Sequence, residues 1–301
     1  AAGIDYTLFH GRSSFSGRGG VADSIACGHL RATEHGEAVN ERYGVRGIAF
    51  RTLEKSFNAV VVATANLEEN QTRNEKWHAV MDLIASRGID ALRELDRSET
   101  LLDHYFSLVT PIDVIERMRL AQGPLVNPED AVAWRNIPWS FAWAQSRFVL
   151  PSWYGFGAGL NAAIEQHGVN MIRDMISLWP FFSRLVTDVE TALAIADLGI
   201  ASQYSLLAGN DLHQQFFPAI ESEYQRAIAT ILDVRGNRLL LANNNTLRRS
   251  IRLRNPYVDP MSLLQIELLR RWRLGTRSDD ALLTALIASV NGIARGLQTS
   301  G

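Results

Sequence analysis

The sequence predicts a mainly α-helical protein, and two observations support this. From Thr52 onward, apolar residues recur at three- and four-residue steps, the period of a helix with one buried face. Before that point, the short apolar run GIDYTLFHG, residues 3–11, is typical of a buried strand that ends at glycine. A lone strand cannot satisfy its backbone hydrogen bonds. We therefore expect it to pair locally or with polypeptide that precedes Ala1.

The spacing of apolar residues places three helices. The first is one long helix whose buried face carries Val186, Val189, Leu193, Ala196 and Ile200. The second ends at Gly236 and carries Tyr224, Ala227, Ile228, Ile231 and Leu232. The third is predicted to begin at Asp259-Pro260, an N-cap followed by proline, and to continue through Leu264, Leu268 and Trp272. The polar stretch Leu120–Asp130 is the best linker candidate.

Composition excludes several classes of partner. The 30 Lys and Arg residues nearly balance the 32 Asp and Glu residues, so no overall charge attracts nucleic acid or an anionic membrane. The single cysteine, Cys27, excludes an intramolecular disulfide and suits a reducing compartment. We find no signal peptide and no run of about 18 apolar residues. These features predict a cytoplasmic protein without a membrane span.

The loop FHGRSSFSGRGG, residues 9–20, is the strongest candidate site. It combines His10, Arg12 and Arg18 with glycines that let backbone N–H groups approach a ligand. Guanidinium groups match phosphate and carboxylate through paired hydrogen bonds and keep their charge. The loop is therefore predicted to bind small anions. By composition alone, the alternative is a solvated surface turn.

Several segments together resemble the phosphoenolpyruvate carboxylase family. LFHGRSSFSGRGG resembles its glycine-rich catalytic loop, FHGRGG followed by two residues and GRGG. Further similar segments follow in family order: LRATEHGEAV, WRNIPWSFAWAQSRFVLPSWYGFG, WPFFSRLVTDVETALAIADLGIASQY, IRLRNPYVDPMSLLQIELLRR and VNGIARGLQTSG. The similarity spans the chain but covers only the C-terminal part of the longer family enzyme.

This resemblance implies a fold. The family has a (β/α)8 barrel with many added helices, and barrel enzymes carry their sites at the C-terminal face. Residues 1–301 are then one C-terminal region. Residues 1–50 would hold the last barrel strand, or a few strands, and the glycine-rich loop, whereas residues 51–301 would be helical.

The resemblance also implies a chemistry, that of a lyase which fixes carbon dioxide. Bicarbonate attacks the phosphate of phosphoenolpyruvate, giving carboxyphosphate and the pyruvate enolate. Carbon dioxide from carboxyphosphate then carboxylates the enolate, which yields oxaloacetate and phosphate. The family uses Mg²⁺ or Mn²⁺, with a Glu and an Asp on earlier strands as ligands. This chain contains no counterpart of those ligands, so the metal site is expected outside it, on a missing N-terminal part or a second chain.

By resemblance, His10 would hold carboxyphosphate and Arg12 would contact the substrate phosphate. Arg18 would lie over bicarbonate, and Arg147 would be a second phosphate ligand, with Arg135 a weaker candidate. The alternative for Arg147 is a packing role at the edge of an aromatic stripe formed with Trp139 and Trp143.

This chain departs from the family pattern in two regions. Ser13-Ser14 replaces two glycines of the loop, and the family's Ser-Arg-Pro motif has no counterpart. In many members, four groups bind aspartate or malate as inhibitors. Of these, Arg18 and Arg254 are retained, whereas Ile195 replaces a lysine and Thr299 an asparagine. A vestigial effector site is therefore expected.

Three functions follow from these observations. The first is the C-terminal portion of a phosphoenolpyruvate carboxylase, inactive as this chain alone and completed by the metal-binding part. The second is a diverged member whose anion pocket acts on another carboxylate or phosphate. The third is a non-catalytic binding module, which the retained cations of the loop disfavour. Self-association is also expected from the family's tetrameric habit.

Overall fold

The computed structural model describes residues 43–65, 75–97, 100–118 and 137–299. Within those ranges the chain is helical and contains no strand, which confirms the mainly α prediction for this part. The predicted strand, the glycine-rich loop and the linker candidate Leu120–Asp130 lie outside the described residues.

The described elements are α-helices joined by short connections. In chain order they are α1 (Arg46–Ala65), α2 (Glu75–Leu95), α3 (Leu101–Val109), α4 (Ile112–Ile115), α5 (Ile137–Gln145), α6 (Phe156–His167), α7 (Val169–Leu178), α8 (Pro180–Ile195), α9 (Leu198–Ser205), α10 (Asn210–Arg235), α11 (Asn245–Leu274) and α12 (Asp280–Leu297). Two 3₁₀ turns, Leu150–Ser152 and Leu206–Ala208, complete the set.

An aromatic group packs at the centre of the hydrophobic core. Trp143 on α5 is fully buried, and its ring centroid lies 5.3 Å from Phe106 on α3 and 5.2 Å from Phe148. Tyr105 on α3 stacks on Phe216 of α10 at 4.7 Å. These contacts join helices distant in sequence, so the core fixes the position of α5 and of the turn that follows it.

The helix predicted over residues 186–200 is in fact two helices. Ala196 is extended, with ψ of 147°, and Asp197 begins α9 by accepting a hydrogen bond from the Ile200 N–H at 2.9 Å. The Asp197 N–H donates to the Arg147 carbonyl at 3.0 Å, instead of to a carbonyl of α8. A contact with another segment therefore interrupts the periodic helix.

The helix start predicted at Asp259-Pro260 is wrong. Helix α11 begins earlier, where the Asn244 side chain accepts from the Leu247 N–H at 3.1 Å, and it continues through Pro256 and Pro260. Each proline removes one backbone hydrogen bond. The helix nevertheless continues, because its inner face packs against α12. The predicted end at Gly236 is confirmed, with φ of 63° at that glycine.

Helix α12 is long and apolar enough to cross a membrane, judged by length and composition alone. Its buried residues Leu286, Val290 and Ile293 belong to the hydrophobic core, and the helix packs beside α11. Core packing therefore accounts for the apolar residues on the buried face of this helix.

Candidate functional site

The sequence-predicted site residues divide into two groups. His10, Arg12, Arg18 and Arg135 lie outside the described residues. Arg147, Ile195, Arg254 and Thr299 lie within them. The described part of the candidate site therefore centres on Arg147.

Arg147 lies in a strained turn that follows α5. Its φ is 62° and that of Val149 is 54°, both in the left-handed region that β-branched and long side chains disfavour. The turn is held by the Val149 N–H, which donates to the Trp143 carbonyl at 3.0 Å. The Arg147 carbonyl accepts from the Asp197 N–H. This unusual backbone directs the arginine side chain into the protein.

The Arg147 guanidinium is fully buried, at 0% exposure, and faces two carboxylates. Its Nη1 donates to Asp259 Oδ1 at 2.7 Å, and its Nη2 lies 3.9 Å from Asp197 Oδ2. Both aspartate side chains are about one-third exposed. The buried charge is thus paired, as burial of an ionised group requires. The ion pairs join the turn after α5 to the start of α9 and to the middle of α11.

Two tyrosines belong to the same electrostatic environment. The Tyr204 hydroxyl donates to Gln265 Oε1 at 2.7 Å, and the Tyr224 hydroxyl donates to the Leu193 carbonyl at 3.0 Å. The pKa of Tyr224 is raised to about 12, mainly by burial and also by Asp197, while Arg147 opposes the rise. Burial also raises the pKa of Tyr204, again opposed by Arg147. Both phenols therefore stay neutral at physiological pH.

Part of the Arg147 guanidinium has no hydrogen-bond acceptor. Its Nε and Nη2 are buried, and no described group accepts from them. Nε and Nη2 lie on one edge of the guanidinium group, and such an edge can donate two parallel hydrogen bonds to an oxyanion. In the described conformation Arg147 joins three helices, and its predicted role as a phosphate ligand stays a prediction.

Two predicted effector residues lie at the same end of α12. Arg254 Nη1 donates to the Gly296 carbonyl at 2.7 Å, and its Nε donates to the Ser250 carbonyl at 3.1 Å. Thr299 follows α12, is 5% exposed, and its N–H donates to the Ala294 carbonyl at 3.0 Å. Ile195 is the last residue of α8 and lies in the hydrophobic core. A hydrocarbon at position 195 therefore serves packing.

Sequence reasoning missed the two partners of Arg147. The sequence predicts that Asp259 caps a helix, and it places Asp197 inside one continuous helix. The signal for Asp197 was present, because an aspartate that follows an apolar helical face can cap the next helix. No local signal shows that either carboxylate meets Arg147, since the contacts span distant segments.

No group of three or more His, Cys, Asp or Glu side chains is placed to hold a metal ion within residues 43–65, 75–97, 100–118 and 137–299. The described donors therefore do not fit the divalent metal that the resemblance implies.

Comparison with known proteins decides the family. The family model described as phosphoenolpyruvate carboxylase matches residues 1–301. The chain belongs to the phosphoenolpyruvate carboxylase family. A phosphoenolpyruvate carboxylase from Xanthomonas oryzae pv. oryzae (strain MAFF 311018) is 42% identical over 99% of this chain, which covers 34% of that protein.

Other phosphoenolpyruvate carboxylases show the same relation. Phosphoenolpyruvate carboxylase 2 from Chlamydomonas reinhardtii is 36% identical over 100% of this chain and 26% of its own length. The phosphoenolpyruvate carboxylase of Rhodothermus marinus is 35% identical over 99% of this chain and 34% of its own length. The chain thus spans about a third or less of these relatives.

Proposed function

We propose that this chain is the anion-binding portion of a phosphoenolpyruvate carboxylase. In this proposal it converts phosphoenolpyruvate and bicarbonate into oxaloacetate and phosphate when completed by the metal-binding portion. The family match over residues 1–301 carries the proposal. The relatives named as carboxylases, at 34–42% identity across nearly the whole chain, support it.

The glycine-rich loop would supply the charge that this reaction needs. Phosphoenolpyruvate and bicarbonate are both anions, so bringing them together requires fixed cations and donors directed at them. His10 would hold carboxyphosphate, Arg12 the substrate phosphate, and Arg18 the bicarbonate. Arg147 and Arg135 would be further phosphate ligands. These roles rest on matching motif positions.

The proposed reaction proceeds through carboxyphosphate and the enolate. A bicarbonate oxygen bonds to phosphorus while the bond between phosphorus and the enol oxygen breaks, so the enolate leaves with its electron pair. Carboxyphosphate then loses phosphate as carbon dioxide forms. The enolate carbon bonds to that carbon dioxide. Water would protonate the enolate, so the loop must exclude it while carbon dioxide is held.

The divalent metal belongs to a portion outside the described residues in this proposal. Mg²⁺ or Mn²⁺, when bound there, would stabilise the enolate and phosphate oxygens. The described part of the chain supplies no metal cluster. We therefore expect the isolated chain to form no oxaloacetate. A cytoplasmic location accords with this role.

The test combines mass and activity on one sample. The protein is purified from its native host, its intact mass is measured, and oxaloacetate is followed by coupled reduction with malate dehydrogenase and NADH. A mass well above 33.5 kDa, or a co-purifying chain, with Mg²⁺-dependent oxaloacetate formation supports the proposal. The Arg12→Ala variant should lose at least about tenfold in kcat/KM, because a charged phosphate contact disappears.

A diverged enzyme is the second candidate function. Ser13-Ser14 in the loop and the missing Ser-Arg-Pro motif favour it, because both change the anion site. A large native protein that forms no oxaloacetate, yet binds phosphate or carboxylate through Arg12, would support this candidate. A lone 33.5 kDa species that binds neither anion would favour a non-catalytic module.

A further inference from the structure

Arg147 differs from a second, largely buried arginine of the chain in how its donors are used. Every nitrogen of the Arg273 guanidinium donates to a described acceptor: Nε and Nη2 to the two oxygens of Asp113, at 3.0 and 2.8 Å, and Nη1 to the Leu108 carbonyl. The Arg147 guanidinium is more deeply buried, yet among described groups only Asp259 accepts from it, through Nη1. A buried donor without an acceptor costs stability. The unused donors of Arg147 therefore require an explanation.

The unused donors, Nε and Nη2, lie on one edge of the Arg147 guanidinium group. This edge has the geometry that binds two oxygens of a phosphate or a carboxylate. Asp197 does not occupy it, because its Oδ2 is 3.9 Å from Nη2, beyond hydrogen-bond distance. The other oxygen of Asp197 accepts from the Ile200 N–H at the start of α9. Within the described residues, Arg147 thus has one bonded nitrogen and one unbonded edge.

Two contacts fix the direction of this edge. The Arg147 carbonyl accepts from the Asp197 N–H, which holds the strained backbone turn. Strain of this kind persists only where the surroundings impose it, and it is frequent at functional sites. At the other end of the side chain, Asp259 Oδ1 accepts from Nη1, the one nitrogen that does not belong to the unbonded edge. The guanidinium group cannot turn without breaking that hydrogen bond.

We propose that Asp259 is a positioning residue, whose hydrogen bond to Nη1 directs the Nε and Nη2 edge of Arg147 at the phosphate group of the substrate. The identity of the substrate rests on the proposed function, whereas the anion-binding edge rests on the two unused donors. Asp259 thus acts by orienting Arg147 and not only by balancing its charge. Orientation matters because a misplacement of about 1 Å at a substrate contact can cost about a hundredfold in rate.

Orientation and charge balance predict opposite rankings of two variants at position 259. Asp259→Asn keeps an oxygen acceptor in place and removes the charge, whereas Asp259→Glu keeps the charge and moves the carboxylate by one methylene group. If Asp259 orients Arg147, Asp259→Asn should bind phosphate within about threefold of the wild-type Kd. Asp259→Glu should then weaken binding by at least about fivefold. Charge balance alone would give the reverse order.

The measurement is phosphate binding by the protein purified from its native host, with the substitutions introduced into the native gene. Isothermal titration calorimetry with inorganic phosphate, at constant ionic strength, gives the Kd. Asp259→Ala should weaken binding by at least about tenfold, because the charged hydrogen bond is lost and the side chain can turn. Asp113→Ala is the matched control, since it removes the carboxylate partner of Arg273 and should leave the Kd unchanged.

The comparison of Asp259→Asn with Asp259→Glu does not depend on the folding of Asp259→Ala, because both variants keep an acceptor for Arg147. Circular dichroism checks that each variant is folded. A double substitution isolates the role of Arg147. In an Arg147→Lys background, Asp259→Glu should change the Kd for phosphate by less than about twofold, because lysine has no planar edge to direct.

The proposal is overturned if the wild type binds no phosphate, or binds it no better than Arg147→Lys does. It is equally overturned if Asp259→Glu binds phosphate as the wild type does, or if Asp113→Ala weakens binding as much as Asp259→Ala. The expected ranking in a protein that forms no oxaloacetate would support this proposal and reject the proposed function. Oxaloacetate formation whose kcat/KM for phosphoenolpyruvate is insensitive to Asp259→Glu would do the reverse.

Discussion

Arg147 has a different role in the structure from the one that the sequence alone predicts. In the sequence it is one of five candidate anion ligands beside an aromatic stripe. In the structure it is a fully buried cation between Asp259 and Asp197, on a backbone with φ of 62°. Burial of an arginine is tolerated only with such partners. Replacing Arg147 is therefore expected to lower the stability of the protein, whether or not it also weakens anion binding.

Replacing Arg147 by methionine should lower the free energy of unfolding by about 3 kcal/mol, because it breaks a buried ion pair and leaves Asp259 without its partner. Urea denaturation measures the change. Arg93→Met is the matched control, since Arg93 is 77% exposed and lies 3.8 Å from Asp90. We expect that control to shift stability by less than about 0.5 kcal/mol. Equal effects of the two substitutions would contradict a joining role for Arg147.

The raised pKa of Glu223 is expected to make the stability of the protein depend on pH. Burial raises its pKa above 4.5, although N–H groups at the start of α6 and Arg226 oppose the rise. The folded state thus binds more protons than the unfolded state between the usual and the raised pKa. The contribution of Glu223 to the free energy of unfolding is therefore highest below the usual pKa, and it falls as the pH rises through the raised value.

Glu223→Gln removes this titration. The free energy of unfolding of the wild type minus that of the variant should decrease as the pH rises from about 4 to about 7. Urea denaturation at several pH values measures both proteins. A difference that is constant or increases over this range would show that Glu223 does not carry a raised pKa.

At the scale of elements, glycines permit the close packing of α2 against α6. A Cβ at Gly159 would clash with the Ile84 carbonyl oxygen, and one at Gly157 would lie 2.6 Å from the Ala227 backbone nitrogen on α10. Helix α6 is thus held between α2 and α10 by backbone approach. Its position determines where Glu223 meets the start of α6.

Gly159→Ala should lower the free energy of unfolding by about 2 kcal/mol, although alanine is the better helix former, because α2 and α6 must separate. Gly47→Ala in α1 is the control, since nothing lies within 4 Å of the added Cβ. That substitution should stabilise the chain by about 0.5 kcal/mol or leave it unchanged. Thermal unfolding of the two variants measures the contrast. If both substitutions stabilised the protein, the tight contact would be refuted.

At the scale of the whole molecule, this chain matches about a third or less of the length of the carboxylases cited above. Its described helices α2 to α12 nevertheless share one hydrophobic core.

Aspartate at millimolar concentration should neither inhibit nor stabilise the protein. By resemblance, two of the four effector ligands are replaced, by Ile195 and Thr299, and Arg254 already donates to the Gly296 carbonyl. A thermal shift assay with aspartate, and with sodium chloride at equal ionic strength, measures the effect. A clear increase in Tm with aspartate alone would contradict the alignment at these two positions.

The sequence by itself determined the family, the helical character of the described part and the end of α10 at Gly236. These follow from short sequence motifs along the chain and from local backbone preferences. The tertiary structure decided the break between α8 and α9, the start of α11 at Asn245 and the partners of Arg147. Each depends on contacts between distant segments: the Arg147 carbonyl competes for the Asp197 N–H, and packing against α12 outweighs two helix-interior prolines. Local preference predicts a helix, but only the energy of long-range contacts determines where that helix begins, where it breaks and which charge it buries.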